Sequence, residues 1–78
     1  MLVVMELIIN RSALKRPEII SEDDVIAVVL TGAVLGYSVD GLLWFLGATL
    51  TGLDIEVACV VIPGGDLVAI HSFPMKWK

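Results

Sequence analysis

Ile20-Ser21-Glu22-Asp23-Asp24-Val25-Ile26-Ala27-Val28-Val29-Leu30-Thr31-Gly32 is the stretch whose reading decides the fold. Ser21 has the side chain of an N-cap: its hydroxyl can accept from the amide three residues on. Asp24 can return that bond to the Ser21 amide, an aspartate form of the capping box. Ile20 and Val25 stand at the two positions of a hydrophobic staple. Three carboxylates in the first turn suit the positive end of a helix dipole. A helix is therefore expected from Glu22 to Leu30 or Thr31, with Gly32 at the C′ position. Its body from Val25 to Leu30 has no polar face, and such a helix needs cover on more than one side.

Outward from this helix the period shortens to that of strands. Ala33 to Ser38 reads as one strand and Asp40-Gly41 as a hairpin turn. Leu42 to Leu50 is a second strand, carrying Trp44 and Phe45. A turn at Thr51-Gly52-Leu53-Asp54 leads to a third, Ile55 to Ile62. Pro63-Gly64-Gly65-Asp66 is a loop, and Leu67 to Phe73 a closing strand. Strict alternation there sets His71 on one face with Leu67, Ala69 and Phe73. Before the helix, Leu2 to Ile9 is β-branched and apolar, a largely buried strand. Asn10-Arg11-Ser12 can cap a short helix that Pro17 stops. The expectation is a single α+β domain over residues 1–78. It has an N-terminal strand and one or two short helices. A four-stranded antiparallel meander follows as one sheet, with helix packed on one face.

The 78 residues are 58% hydrophobic and only 18% charged, with a formal charge of −4. That composition excludes a disordered tail. The acidic balance argues against a general nucleic-acid binder, which needs Lys and Arg against phosphate. One cysteine, Cys59, excludes an internal disulfide framework, and with one histidine no metal or cofactor motif is in view. Capping already explains Glu22, Asp23 and Asp24, so no metal site is expected there.

A domain of this size buries only about 60% of the surface its unfolded chain exposes. The apolar excess has two outlets, a membrane or a protein interface. The uncharged runs Val25–Val39 and Leu42–Leu53 each fall short of the roughly 20 residues of a spanning helix. Joining them puts Asp40 near mid-bilayer, so a small membrane protein is the weaker alternative. No basic leader-like segment opens the chain, and a reducing cytoplasm suits a lone cysteine. The favoured expectation is a homo-oligomer, a dimer or higher. Its interface would be drawn from Val25, Ile26, Val29, Leu30, Trp44, Phe45 and Trp77.

Several segments, taken in order, resemble a known family. They are Met5-Glu6-Leu7-Ile8-Ile9, Arg11-Ser12-Ala13-Leu14-Lys15-Arg16 and Ile20-Ser21-Glu22-Asp23-Asp24-Val25-Ile26. Gly32-Ala33-Val34, Gly64-Gly65-Asp66-Leu67-Val68 and Pro74-Met75-Lys76-Trp77-Lys78 complete the set. Together they resemble a small prokaryotic domain of unknown function that neighbours the BrnT toxins in the RelE/ParE-like superfamily. The resemblance implies a compact sheet with N-terminal helices and kinship to type II toxin–antitoxin systems, whose active members are ribonucleases. It also implies an antitoxin-like protein as a possible partner. Relatives often carry a histidine where this chain has Ser12, and their second helix mixes charged with apolar residues.

Two functions follow as expectations. The first is a non-catalytic, self-associating domain of this toxin-like superfamily. The second is a toxin-type ribonuclease acting on RNA. There His71 would serve as general base, because its ordinary pKa lies near working pH. Arg11, Lys15 or Arg16 would stabilise the phosphorane charge. Arg11, Lys15, Arg16, Lys76 and Lys78 would have to gather around His71 for that chemistry. Cys59, set between Ala58 and Val60, reads as an inert buried thiol.

Overall fold

A computed structural model describes residues 6–15 and 19–75. Its elements run β1 (Leu7–Ile9), a single 3-10 turn (Arg11–Leu14), α1 (Glu22–Thr31), β2 (Ala33–Tyr37), β3 (Leu43–Ala48), β4 (Asp54–Val61) and β5 (Leu67–Pro74). The α+β class stands. The sheet has five strands in the order β1-β5-β4-β3-β2. β2 to β5 form the antiparallel meander, but β1 joins it parallel to β5, in register Leu7↔Leu67 to Ile9↔Ala69. The sheet is therefore mixed and not a four-stranded antiparallel one. A strand pattern says that β1 is buried and leaves open which edge takes it. The helical segments carry the chain across one face, and the far edge, β5, is where β1 finds its partner.

The capping box forms as its residues require. The Ser21 hydroxyl accepts from the Asp24 amide at 3.2 Å, and Asp24 Oδ2 accepts from the Ser21 amide at 3.0 Å. Both staple residues, Ile20 and Val25, are fully buried. Asn10 caps the 3-10 turn, accepting from the Ser12 amide. That turn stops at Leu14, before the Lys15 or Arg16 end expected of a short helix.

Gly32 differs from its expected role. It is extended, with φ −77° and ψ 175°, so it is not a left-handed cap. Its small size is what the fold uses. A Cβ there would stand 2.4 Å from the Val28 carbonyl oxygen and 2.6 Å from that of Leu46. The end of α1 thus lies directly on β3, where a Cβ at Gly47 would stand 3.2 Å from the Gly32 Cα.

α1 and the 3-10 turn cover one face of the sheet. Beneath them lie Leu43 and Phe45 of β3, Ile55, Val57 and Cys59 of β4, and Leu67 and Ala69 of β5. Ala13, Ile20, Val25, Val28 and Val29 close the core from above. Fully burying such side chains contributes about 1.5–3 kcal/mol each. This corrects the interface expectation for three residues: Val25, Val29 and Phe45 are interior to the chain itself. Ile26 is half-buried, Leu30 is exposed, and Trp77 lies outside the described residues.

Candidate interaction surfaces

One irregularity in β5 decides what the open side of the sheet carries. Ala58 pairs with His71, yet the next β4 residue, Cys59, pairs with Ala69. β5 therefore holds one extra residue, Ile70, across from that step. An inserted residue reverses which face the following side chains take. Leu67 and Ala69 face the core, while His71 and Phe73 face away from it. The expectation that His71 shares a face with Leu67 and Ala69 is thereby corrected. Simple alternation carries no mark of a bulge, and no glycine sits at this one.

On the far side of the helices the registers line residues up in rows across the strands. One row runs Gly36, Trp44, Ala58, His71; the next runs Ala33, Leu46, Glu56, Phe73. Val60, Val68 and Ile8 form a third, and Ala48 with Asp54 closes the opposite end. The Trp44 and His71 rings meet edge to face at 5.8 Å between centroids, over the fully buried Ala58. His71 and Phe73 stack at 5.4 Å and 12°. Asp54, Glu56 and His71 are the only Asp, Glu, His, Lys or Arg residues in the five strands, so the strands carry no Lys or Arg.

The cationic part of the expected RNA site is not assembled around this histidine by the described residues. Ser72, next to His71, faces the helix side and donates its hydroxyl hydrogen bond to the Ala13 carbonyl. Ser12 donates to the Ile70 carbonyl at 2.7 Å. These bonds hold the 3-10 turn, with Arg11 and the following Lys15, on the side of the sheet opposite His71. Arg16, Lys76 and Lys78 lie outside the described residues. Cys59 is fully buried, and desolvation pushes its thiol up to about 11, which leaves it protonated and unreactive. Among the described residues no trio of His, Cys, Asp or Glu is placed to hold a metal ion. The Pro63–Asp66 segment is a turn, closed by the Ile62 amide donating to the Asp66 carbonyl.

A second surface was legible in the sequence only at Leu30. Ten large apolar side chains are well exposed among the described residues, and five of them fall between Leu30 and Val39. Leu30, Val34, Leu35, Tyr37 and Val39 are each more than half exposed. β2 is the edge of the sheet, and α1 packs mainly over β3 and β4 rather than over β2. An apolar, uncharged edge strand is a ready contact site, which sequences usually blunt with Lys or Pro. Here the only device is a register shift between Val34 and Gly36. From sequence, β2 looks like any buried strand; its exposure is set by how far the helix reaches.

Asp24 ties the helix start to the β3–β4 turn. Its Oδ1 accepts from the Leu50 amide at 3.0 Å while Oδ2 holds the Ser21 amide. The Ser21 amide lowers the Asp24 pKa most; burial opposes it, and the Leu50 amide and Ser21 hydroxyl add to the lowering. Thr49, also buried, accepts from the Leu53 amide through its hydroxyl and completes that turn. The acidic trio is thus a structural device.

No family model, curated protein or solved structure matches this chain. No helix among the described residues is long and apolar enough to cross a membrane.

Proposed function

We propose that this chain is a non-catalytic, self-associating domain, allied to the toxin-like family that its sequence resembles. The observation that carries self-association is the Leu30–Val39 surface. Val34, Leu35 and Tyr37 are exposed on the edge strand β2, and the exposed Leu30 and Val39 flank it in the chain. Between Val25 and Val39 there is no Asp, Glu, Lys or Arg. A chain of net charge −4 can meet its own copy there without bringing carboxylates together. The order of elements, helical segments early and an antiparallel run after them, supports the alliance with that family.

Sedimentation velocity on the purified chain tests this reading. A dimer or larger species is expected at micromolar concentration. Replacing Val34 and Leu35 by Asp should shift it toward smaller species while unfolding stays cooperative. A clean monomer at about 50 μM, well above a micromolar Kd, overturns the reading.

A further inference from the structure

We propose that the open face of the sheet is a second contact surface, and that its occupant is another copy of this chain, stacked face to face around Trp44, His71 and Phe73. The proposal rests on the self-association reading but uses a surface distinct from Leu30–Val39.

The rows on this face are apolar where a solvated antiparallel sheet would alternate to polar. Ile8, Trp44, Leu46, Val60, Val68 and Phe73 all lie on it. The three rings are already packed against one another, so docking them orders little that is not ordered in the free chain. Tryptophan is also the side chain that most often anchors a contact. The area is sufficient. Five strands about 4.8 Å apart and roughly six residues long at about 3.3 Å each present on the order of 500 Å². Two such faces bury on the order of 1,000 Å², the threshold that a specific contact should reach, at the small end of protein interfaces.

Charge selects the occupant. Asp54 and Glu56 lie toward one end of the face; the Val60–Val68–Ile8 row toward the other end is itself uncharged, with Glu6 and Asp66 just beyond it. A twofold axis in the contact plane, running across the strands, turns one copy end for end over the other. Asp54 of each copy then lies over the uncharged Val60–Val68–Ile8 row of its partner, one step short of Glu6 and Asp66. The same operation sets Glu56 of each copy beside the Trp44–Ala58–His71 row of the other. The carboxylate then approaches an imidazole that can donate to it. Among the described residues, RNA phosphates or an anionic membrane would meet two carboxylates on this face and no Lys or Arg.

Two independent self-contacts give an assembly of more than two chains. Light scattering on wild type, Trp44→Ser, Val34→Asp/Leu35→Asp and the combination tests this. The expected result is a mass above a dimer, about half of it in each single-surface variant, and a monomer when both are combined. Phe73→Asp, at the more exposed end of the ring cluster, replaces Trp44→Ser if the latter does not unfold cooperatively. Unchanged mass in both face variants, with Val34→Asp/Leu35→Asp still lowering it, overturns this inference and leaves the self-association reading standing. A monomeric wild type overturns both. Binding of wild type to phosphatidylserine vesicles or to single-stranded RNA, lost in Trp44→Ser, overturns the choice of occupant.

Discussion

The two faces of the sheet are built from the same strands and meet opposite fates. On the helix side Phe45, Ile55, Val57 and Leu67 are fully buried under α1 and the 3-10 turn. On the other side Trp44, Leu46, Val60 and Val68 alternate with them and stay half-buried, with no described element lying across them. Hydrophobicity does not separate the two sets. What separates them is whether the chain has another element long enough to lie across them. A ten-residue helix is about 15 Å long and covers part of one face. The lesson is that an apolar residue in a small domain is core only where a second layer reaches it.

The strongest way to break this contrast is to truncate one ring on each side. Phe45→Ala should cost about 3–5 kcal/mol, a large share of the stability of so small a domain. Trp44→Ala, measured where the chain is monomeric, should cost clearly less. Urea unfolding checks it, with Phe45→Leu as the milder probe; equal losses at the two positions would mean that both faces are core.

The contact between layers is sharpened at Gly32. A methyl group there meets two backbone carbonyls that cannot rotate away. Gly32→Ala should therefore destabilise by about 2–3 kcal/mol by pushing α1 off β3. A thermal melt as stable as wild type would show that the close approach is slack.

A smaller effect is expected where the helix start is tied to the β3–β4 turn. Asp24→Asn keeps one acceptor oxygen of two, so it should lose about 1–2 kcal/mol at neutral pH. The folded-state pKa of Asp24 lies below its ordinary value of 3.8. The unfolded chain thus holds more protons at this site in that range, and stability rises with pH there. The carboxylate's contribution is complete above pH 3.8 and lost as pH falls through the folded pKa. The gap between wild type and Asp24→Asn should accordingly close in acid. A gap that stays constant down to the lowest pH at which both fold would assign the effect to shape and not to charge.

Much of the fold was legible because its signals are local. The Ser21–Asp24 box, the Ile20–Val25 staple and the glycine turns act within a few residues, and each formed where its residue types call for it. The candidate sites were less legible. Arg11 and His71 were drawn together by type alone, and the fold sets them on opposite sides of the sheet. His71 found Trp44 and Phe73 because one extra residue in β5 turned it outward.

From the amino acids alone came the class, the helix start, the succession of strands and the apolar excess. These follow from hydrogen bonds and periodicities that span at most one or two turns of chain. Only the tertiary structure decided that β1 joins the sheet parallel to β5, that Val25, Val29 and Phe45 belong inside, and that no described helix covers β2 or the Trp44 face. Those outcomes depend on the reach of one helix and the register of distant strands, which are properties of the packed whole.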